Sequence, residues 1–252
     1  MPDEVREPEG AGPVRVPRRE DAVAFAAAAL VLGIVFAGLS WFVVSGPDGG
    51  TSLDESIGSA IHSVAVSHAW LVDLSLVLDW VGGGGVCTAV VAVVALALIV
   101  TGGASRPRGL RTCTAAFLVL SAAGGSIINT AVKSAVERPR PPWNGLWASE
   151  ASSSYPSGHA QAGITVWVAL AVVALVVLPG PGRWVVAVPL LVLGPVIGLS
   201  RTVLGVHWPT DVLGGWTLGG AWMSASAVVV ILVAGRWSGR PGPPPWPGSP
   251  RP

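Results

Sequence analysis

Six apolar runs, each bounded by polar or helix-breaking residues, govern what this chain can become. They are Ala22 to Val44, Val86 to Thr101, Thr112 to Val132, Gly158 to Leu178, Trp184 to Leu199 and Val212 to Ala234. About 20 mostly apolar residues carry a helix across a bilayer, where the backbone must satisfy its own hydrogen bonds. The expected fold is therefore all-α, a polytopic membrane helix bundle with six transmembrane helices. Pro189 and Pro195 fall inside the fifth run, where neighbouring helices can satisfy the freed backbone groups. The first run is too long for a cleavable signal peptide, and its mixed acidic and basic preface is unlike a short basic leader.

Composition agrees with a membrane protein. Only 12% of the 252 residues are charged and 51% are hydrophobic, against about 25% charged in an ordinary soluble domain. This excludes a disordered chain and argues against a soluble globule. A net charge of +1 gives no footprint for nucleic acid. Cys87 and Cys113 read as small buried hydrophobes, since two such cysteines make neither a disulfide framework nor a zinc site.

The basic residues give an orientation. Arg6, Arg15, Arg18 and Arg19, then Arg106, Arg108 and Arg111, then Arg183, and finally Arg236, Arg240 and Arg251 all fall on one side of a six-span layout. That side is expected to be cytoplasmic, as are both termini. Trp41, Trp80, Trp184, Trp208 and Trp237 lie near span ends, as an interfacial belt would. The first outer connection, Ser45 to Gly85, has no Lys or Arg but carries Asp48, Asp54, Glu55, Asp73 and Asp79. Within it, Ser52-Leu-Asp-Glu55 reads as a capping box. Apolar residues then recur with helical spacing through Trp80, so an amphipathic helix is expected on the outer surface. The expected division is a disordered cytoplasmic tail at 1–20, a six-span domain at 21–237 and a disordered Pro-rich tail at 238–252. The run Pro243 to Pro245 reads as part of a solvated tail before it reads as a ligand for a proline-reading domain.

The remaining four basic residues, Lys133, Arg138, Arg140 and Arg201, break the charge bias, because they fall in the other outer connections. They belong to three short polar segments: Lys133 to Pro141, Tyr155 to His159, and Ser200 to Asp211. The 40 residues between His159 and Ser200 allow two crossings and a tight turn at Pro179 to Gly182. Two crossings return the chain to the same face, so the segments can converge on one outer interface. Lys133, Arg140 and Arg201 clustered there would repel one another unless an anion joined them. Phosphate suits that role, because arginine forks match its oxygens and lysine adds a point charge. Ser157-Gly158 opens a helix whose N-terminus offers N–H groups and a positive dipole end.

Chemistry beyond binding needs the histidines. Asp211 lies four residues after His207, within reach of an imidazole whose tautomer it would fix, leaving the other ring nitrogen to attack phosphorus. His159 would stand opposite and protonate the leaving oxygen. No carboxylate cluster for Mg²⁺ is expected at the site. Taken singly, each piece is ordinary: Lys133 and Arg140 as snorkelling anchors, Ser-Gly-His as a helix start, and His-x-x-x-Asp as a local contact. Glu137 and Arg138 read as a surface pair or loop support, and Glu150 as a solvated loop acid. His62, His68, Asp54 and Asp73 read as packing or surface residues. The stretch Pro142 to Trp147 reads as a loop anchor.

Together, Lys-x6-Arg-Pro, Pro-Ser-Gly-His and Ser-Arg-x5-His-x3-Asp resemble the three-part signature of the type-2 phosphatidic acid phosphatase superfamily. That superfamily also holds the vanadium haloperoxidases and bacterial acid phosphatases. Lys133, Arg140, Pro141, Pro156, Ser157, Gly158, His159, Ser200, Arg201, His207 and Asp211 fill every signature position. The six-span layout resembles the integral-membrane lipid phosphatase branch over roughly residues 20 to 235. The resemblance implies His207 as a nucleophile forming a phosphohistidine, Asp211 as its orienting group, and His159 as acid and then base. It implies phosphate binding by Lys133, Arg140, Ser157, Gly158 and Arg201, with no metal and no cofactor. The implied partners are the bilayer and a membrane lipid phosphate: undecaprenyl diphosphate, phosphatidic acid, phosphatidylglycerophosphate or another prenyl phosphate. The implied location is the plasma membrane, with the site at the outer face. The competing readings are a non-catalytic lipid-phosphate binder or transporter on the same scaffold, and vanadate-dependent halide oxidation.

Overall fold

The computed structural model describes residues 19–46, 51–100 and 108–238. Among these residues all regular structure is helical. Helix α1 spans Arg19–Ser45, α2 Thr51–Ser67, α3 Ala69–Gly82 and α4 Gly84–Val100. Helix α5 spans Arg108–Val136, α6 Gly158–Val177, α7 Gly182–Val203 and α8 Pro209–Ser238. Five of these, α1 and α5 to α8, are long and apolar enough to cross a membrane. The remaining expected span is α4, whose 17 residues reach about 25 Å at 1.5 Å per residue. The protein is thus an all-helical, multi-pass membrane bundle. Residues 1–18 and 239–252, which hold most of the two expected tails and the Pro243 to Pro245 run, lie outside the described residues.

Burial is arranged for lipid rather than water. Leu30, Val93, Ile127 and Val185 are 65%, 67%, 70% and 76% exposed, whereas Asp54, Arg201 and Asp211 are fully buried. Apolar side chains lose nothing by facing hydrocarbon, while charges must be paired inside. The main apolar cluster joins Cys87 and Val91 of α4, Phe117 and Leu118 of α5, Val166 and Leu170 of α6, and Ala227 of α8.

Two wide turns mark the centre of the bundle, at Leu120–Gly124 in α5 and Gly163–Val168 in α6. Wide turns weaken the normal backbone ladder, and here polar side chains compensate. Ser121 Oγ donates to Thr165 O at 2.9 Å, and Gln161 Nε2 donates to Gly125 O at 2.6 Å. Helices α6 and α7 meet backbone to backbone at Gly163 and Gly194, where a Cβ on either would overlap the other's carbonyl. Small residues at such a crossing permit the close packing that drives helix association in lipid.

Residues 51–82 differ from the single amphipathic helix expected there. The chain breaks at His68, and α2 and α3 meet at a bend of 109°. The His68 ring lies 2.9 Å from Val64 O, and His68 itself leaves the helical region at φ −137°. Helix α2 begins at Thr51, one residue ahead of the expected Ser52 cap. Asp54, rather than Ser52 or Glu55, is the buried residue of its first turn. The bend matters because α2 delivers Asp54 to one side of the site while α3 delivers Asp79 to the other. Gly82 ends α3 against Ile197 and His159, where a Cβ would come 3.0 Å from His159 Cδ2. A small cluster of Ala65, Val72, Leu204 and Val206 seats this bent pair on the loop between α7 and α8.

Candidate active site

The three polar segments meet at one end of the bundle, as their span parity predicts. Lys133, near the C-terminal end of α5, donates through Nζ to Ser153 O, and Ser153 Oγ returns a bond to Lys133 O at 2.8 Å. Glu137 ends α5 in the left-handed region at φ 49°, turning the chain so that Arg138 enters the protein and Arg140 follows. The chain then crosses to Ser157, which caps α6 by accepting from Ala160 N at 3.4 Å. Ser157 N donates to Asp211 O at 2.9 Å, which stitches the second segment to the third. Gly158 opens α6 beside Asn129, whose Oδ1 would lie 3.5 Å from a Cβ placed there.

His207 and Asp211 form the buried half of the site. His207 Nδ1 lies 3.4 Å from Asp211 Oδ2, and the same oxygen accepts from Trp208 N at 2.9 Å. Arg140 Nη1 lies 3.2 Å from His207 Nε2 and also donates to Val206 O at 2.6 Å. A guanidinium has no acceptor, so this contact needs the lone pair of His207 on Nε2 and the ring hydrogen on Nδ1. Burial pushes the His207 ring down to about 3, against the opposing pull of Asp211. The ring is neutral, with Nε2 as its basic atom.

Asp211 is itself supported. Arg138 Nη1 donates to Asp211 Oδ1 at 2.7 Å, and Arg138 Nη2 donates to Asp54 Oδ2 at 2.7 Å. Asp54 also accepts from Thr210 N at 3.0 Å and from the Thr210 hydroxyl, capping α8 from a distant helix. Trp208 lies under Arg138, with the guanidinium carbon 5.8 Å from the ring centroid. Arg138 is therefore a buried bridge between two carboxylates, which corrects the reading of Arg138 and Glu137 as a surface pair or loop support. Asp54 is corrected with it, from an ordinary packing or surface residue to the centre of this network.

Arg201 and His159 form the more open half. Arg201 is fully buried, donates to Asp79 Oδ1 and to Glu150 Oε1 at 2.8 Å, and keeps an unpartnered Nε. His159 Nε2 lies 3.0 Å from Asp79 Oδ1 and 3.2 Å from Asp79 O. Glu150 also lies 4.0 Å from Arg140, which links the two halves. Glu150 is thus part of the site rather than a solvated loop acid. Asp79, Glu150 and His159 offer ligand atoms within 4.8 Å of one another, a grouping with the donor types of a cation site. The expectation that no carboxylates gather here is corrected by this pair. Arg201 already supplies positive charge to both acids, so the donor set suits the guanidinium better than a divalent ion.

His62 and His68 stay outside the site. His62 stacks on Trp143, with ring centroids 5.0 Å apart, and lies tilted 5.2 Å from Trp147. Trp143 meets Trp208 edge-on at 6.1 Å, so the Trp-rich stretch ties the loop after Arg140 to both α2 and the start of α8. An open polar cleft of about 460 Å³ beside this loop is lined by Arg140, Asn144, Glu150 and Ser152, but by neither His207 nor His159.

A model of the family described as the PAP2 superfamily matches residues 114–234. Phosphatidylglycerophosphatase B of Bacillus subtilis strain 168 is 31% identical over 170 residues, covering 67% of this chain and 78% of that protein. The chain belongs to the PAP2 superfamily. An undecaprenyl-diphosphatase of Sulfolobus acidocaldarius is 38% identical over 77 residues, 31% of this chain and 33% of that protein. The fold resembles a transmembrane PAP2-type phosphatidylglycerolphosphate phosphatase from Bacillus subtilis, with a TM-score of 0.65 at 22% identity, over 84% of this chain and 96% of that one. The matched region holds all three polar segments, and both named relatives are lipid phosphatases.

Sequence reasoning missed Asp54, Asp79, Arg138 and Glu150 as members of the site. The signal for them was the charge imbalance of the connections at this end of the bundle. One connection holds only acids, while the others hold cations without a matching acidic surplus. Buried charges are paired, so a compact site had to bring those two sets together.

Proposed function

We propose that this protein hydrolyses the phosphate or diphosphate headgroup of a membrane lipid through a phosphohistidine on His207, at the outer face of the plasma membrane. The arrangement of His207 carries the proposal: a neutral buried imidazole, Nδ1 toward Asp211 and Nε2 toward the Arg140 guanidinium. An anion drawn to Arg140 has its phosphorus presented to the Nε2 lone pair. Lys133, Arg140 and Arg201 would hold the phosphoryl oxygens, assisted by Ser157 and the Gly158 backbone at the start of α6.

In the first step the Nε2–P bond forms and the P–O bond to the lipid breaks. The electron pair goes to the leaving oxygen, which takes a proton from His159. In the second step water attacks phosphorus, His159 accepts its proton, the N–P bond breaks and inorganic phosphate leaves. Asp211 stabilises the positive ring that bonding to phosphorus creates. Three cations already balance the developing negative charge, so the chemistry calls for no metal.

The names of the relatives support phosphatidylglycerophosphate and undecaprenyl diphosphate as substrates, and phosphatidic acid shares the terminal phosphomonoester of the first. The test is phosphate release from these three lipids in detergent micelles, with EDTA present. Wild-type protein is expected to turn over at least one of them, with His207→Ala slower by a factor of about 10⁴ or more. Near wild-type turnover by His207→Ala would reject the phosphohistidine, and dependence on an added divalent ion would reject metal independence.

A further inference from the structure

We infer that Asp79 is a positioning residue for His159, forming a second carboxylate–imidazole pair opposite that of Asp211 and His207. The inference rests on the phosphatase reading above. Asp79 comes from α3, on the far side of the 109° bend, in a stretch with no other tie to the three polar segments by sequence. Its carboxylate and its own carbonyl both lie within 3.2 Å of His159 Nε2. The carbonyl can only accept, so this contact places the Nε2 hydrogen on the side of Asp79.

The opposite edge of the ring follows from the same packing. Gly82, three residues beyond Asp79, approaches His159 at Cδ2, the carbon next to Nε2. The Nε2–Cδ2 edge therefore faces α3, and the Nδ1–Cε1 edge faces away from it. Nδ1 is the atom left to give a proton to the leaving oxygen and later to take one from water. Asp79 fixes this tautomer in the neutral ring between the two events and stabilises the charged ring before the first and after the second.

Other charges around His159 qualify the effect. Arg201 on α7 donates to the same carboxylate and opposes the charged ring, while Glu150 in the loop completes the group on the acidic side. Lys133 on α5 is tied to Ser153 O, and Asp211 on α8 is tied to Arg138. Cys87 on α4 donates to carbonyls of α3. The carboxylate in contact with the His159 ring is that of Asp79.

The decisive measurement uses two leaving groups on the full chain in detergent. An alkyl phosphate such as dodecyl phosphate needs its leaving oxygen protonated, whereas para-nitrophenyl phosphate does not. In Asp79→Asn, kcat/KM for the alkyl ester at pH 8 should fall by about tenfold or more, while the aryl ester changes by no more than about twofold. In a His159→Ala background, Asp79→Asn should add no further loss.

Equal losses on both esters, no loss, or a gain in activity each overturn the inference. A gain would mean that the Asp79 carboxylate merely occupies the phosphate position on Arg201. If Asp79→Asn does not fold, Asp79→Glu displaces the carboxylate while keeping its charge and should show the same selectivity in smaller degree. Its absence there counts equally against the inference. Failure of wild-type protein to release phosphate from any lipid or ester sinks the phosphatase reading and this inference with it. Wild-type turnover without leaving-group selectivity in the variants sinks the inference alone.

Discussion

The two histidines of the site live in opposite surroundings. His207 is 3% exposed, and Asp211, Arg138 and Asp54 behind it form an unbroken buried chain of charge. The His159 side chain is 17% exposed, and its partner Asp79 is 32% exposed and shared with Arg201. A group that must attack along one line gains from a ring locked in one tautomer by a buried carboxylate. A group that must give a proton and take one back in every cycle gains from contact with water. The asymmetry matches the division of labour proposed for the two rings.

The largest effect that could break this comparison is on the buried side. Asp211→Asn keeps the shape but removes the charge that holds the His207 tautomer, and kcat should fall by about 10⁴. Phosphate-release kinetics check this, and a loss confined to KM would move Asp211 from orienting His207 to binding substrate. Arg138→Met leaves Asp54 and Asp211 buried without their shared cation, at an expected cost of about 3–5 kcal/mol. Unfolding in detergent measures this, and an unchanged midpoint would mean that the network does not hold the site together.

Acid should separate the halves more gently. In the folded protein His207 takes a proton only near 3, whereas its ordinary value is 6.5. Between those values the unfolded chain binds a proton that the folded chain refuses, so stability falls as pH drops from about 6.5 toward 3. His207→Gln should flatten that slope, as followed by the unfolding temperature across pH, and an unchanged slope would remove His207 from the account. The smallest effect concerns the turn that sends Arg138 inward. Glu137 sits at φ 49°, and Glu137→Gly should relieve about 1 kcal/mol of backbone cost. A midpoint that moves down would show that the Glu137 side chain contributes more than its strain removes.

Much of this molecule was legible in one dimension. Apolar runs located five spans and the shorter apolar helix α4 to within a few residues, because lipid rewards continuous hydrophobicity and the backbone leaves little alternative to a helix. Span parity brought Lys133, His159 and His207 to the same end before any packing was known. The outer helix was harder to read. Helical spacing continues from Asp54 through Trp80, and nothing in that spacing marks His68 as the corner where the direction changes by 109°. Glu150 was equally hidden, since a loop acid four residues from Ser154 looks solvated until Arg201 is seen beside it.

The sequence alone determined the bundle, the gathering of its polar segments at one end, and the histidines and cations that the proposed mechanism places around phosphate. Those features depend on local periodicity, on hydropathy and on counting crossings. Tertiary structure alone decided which acids meet which cations: Asp54 and Asp211 on Arg138, Asp79 and Glu150 on Arg201. Those partners lie between 51 and 122 residues apart. Charge pairing is decided by distance in space, and here a bend in a surface helix sets that distance.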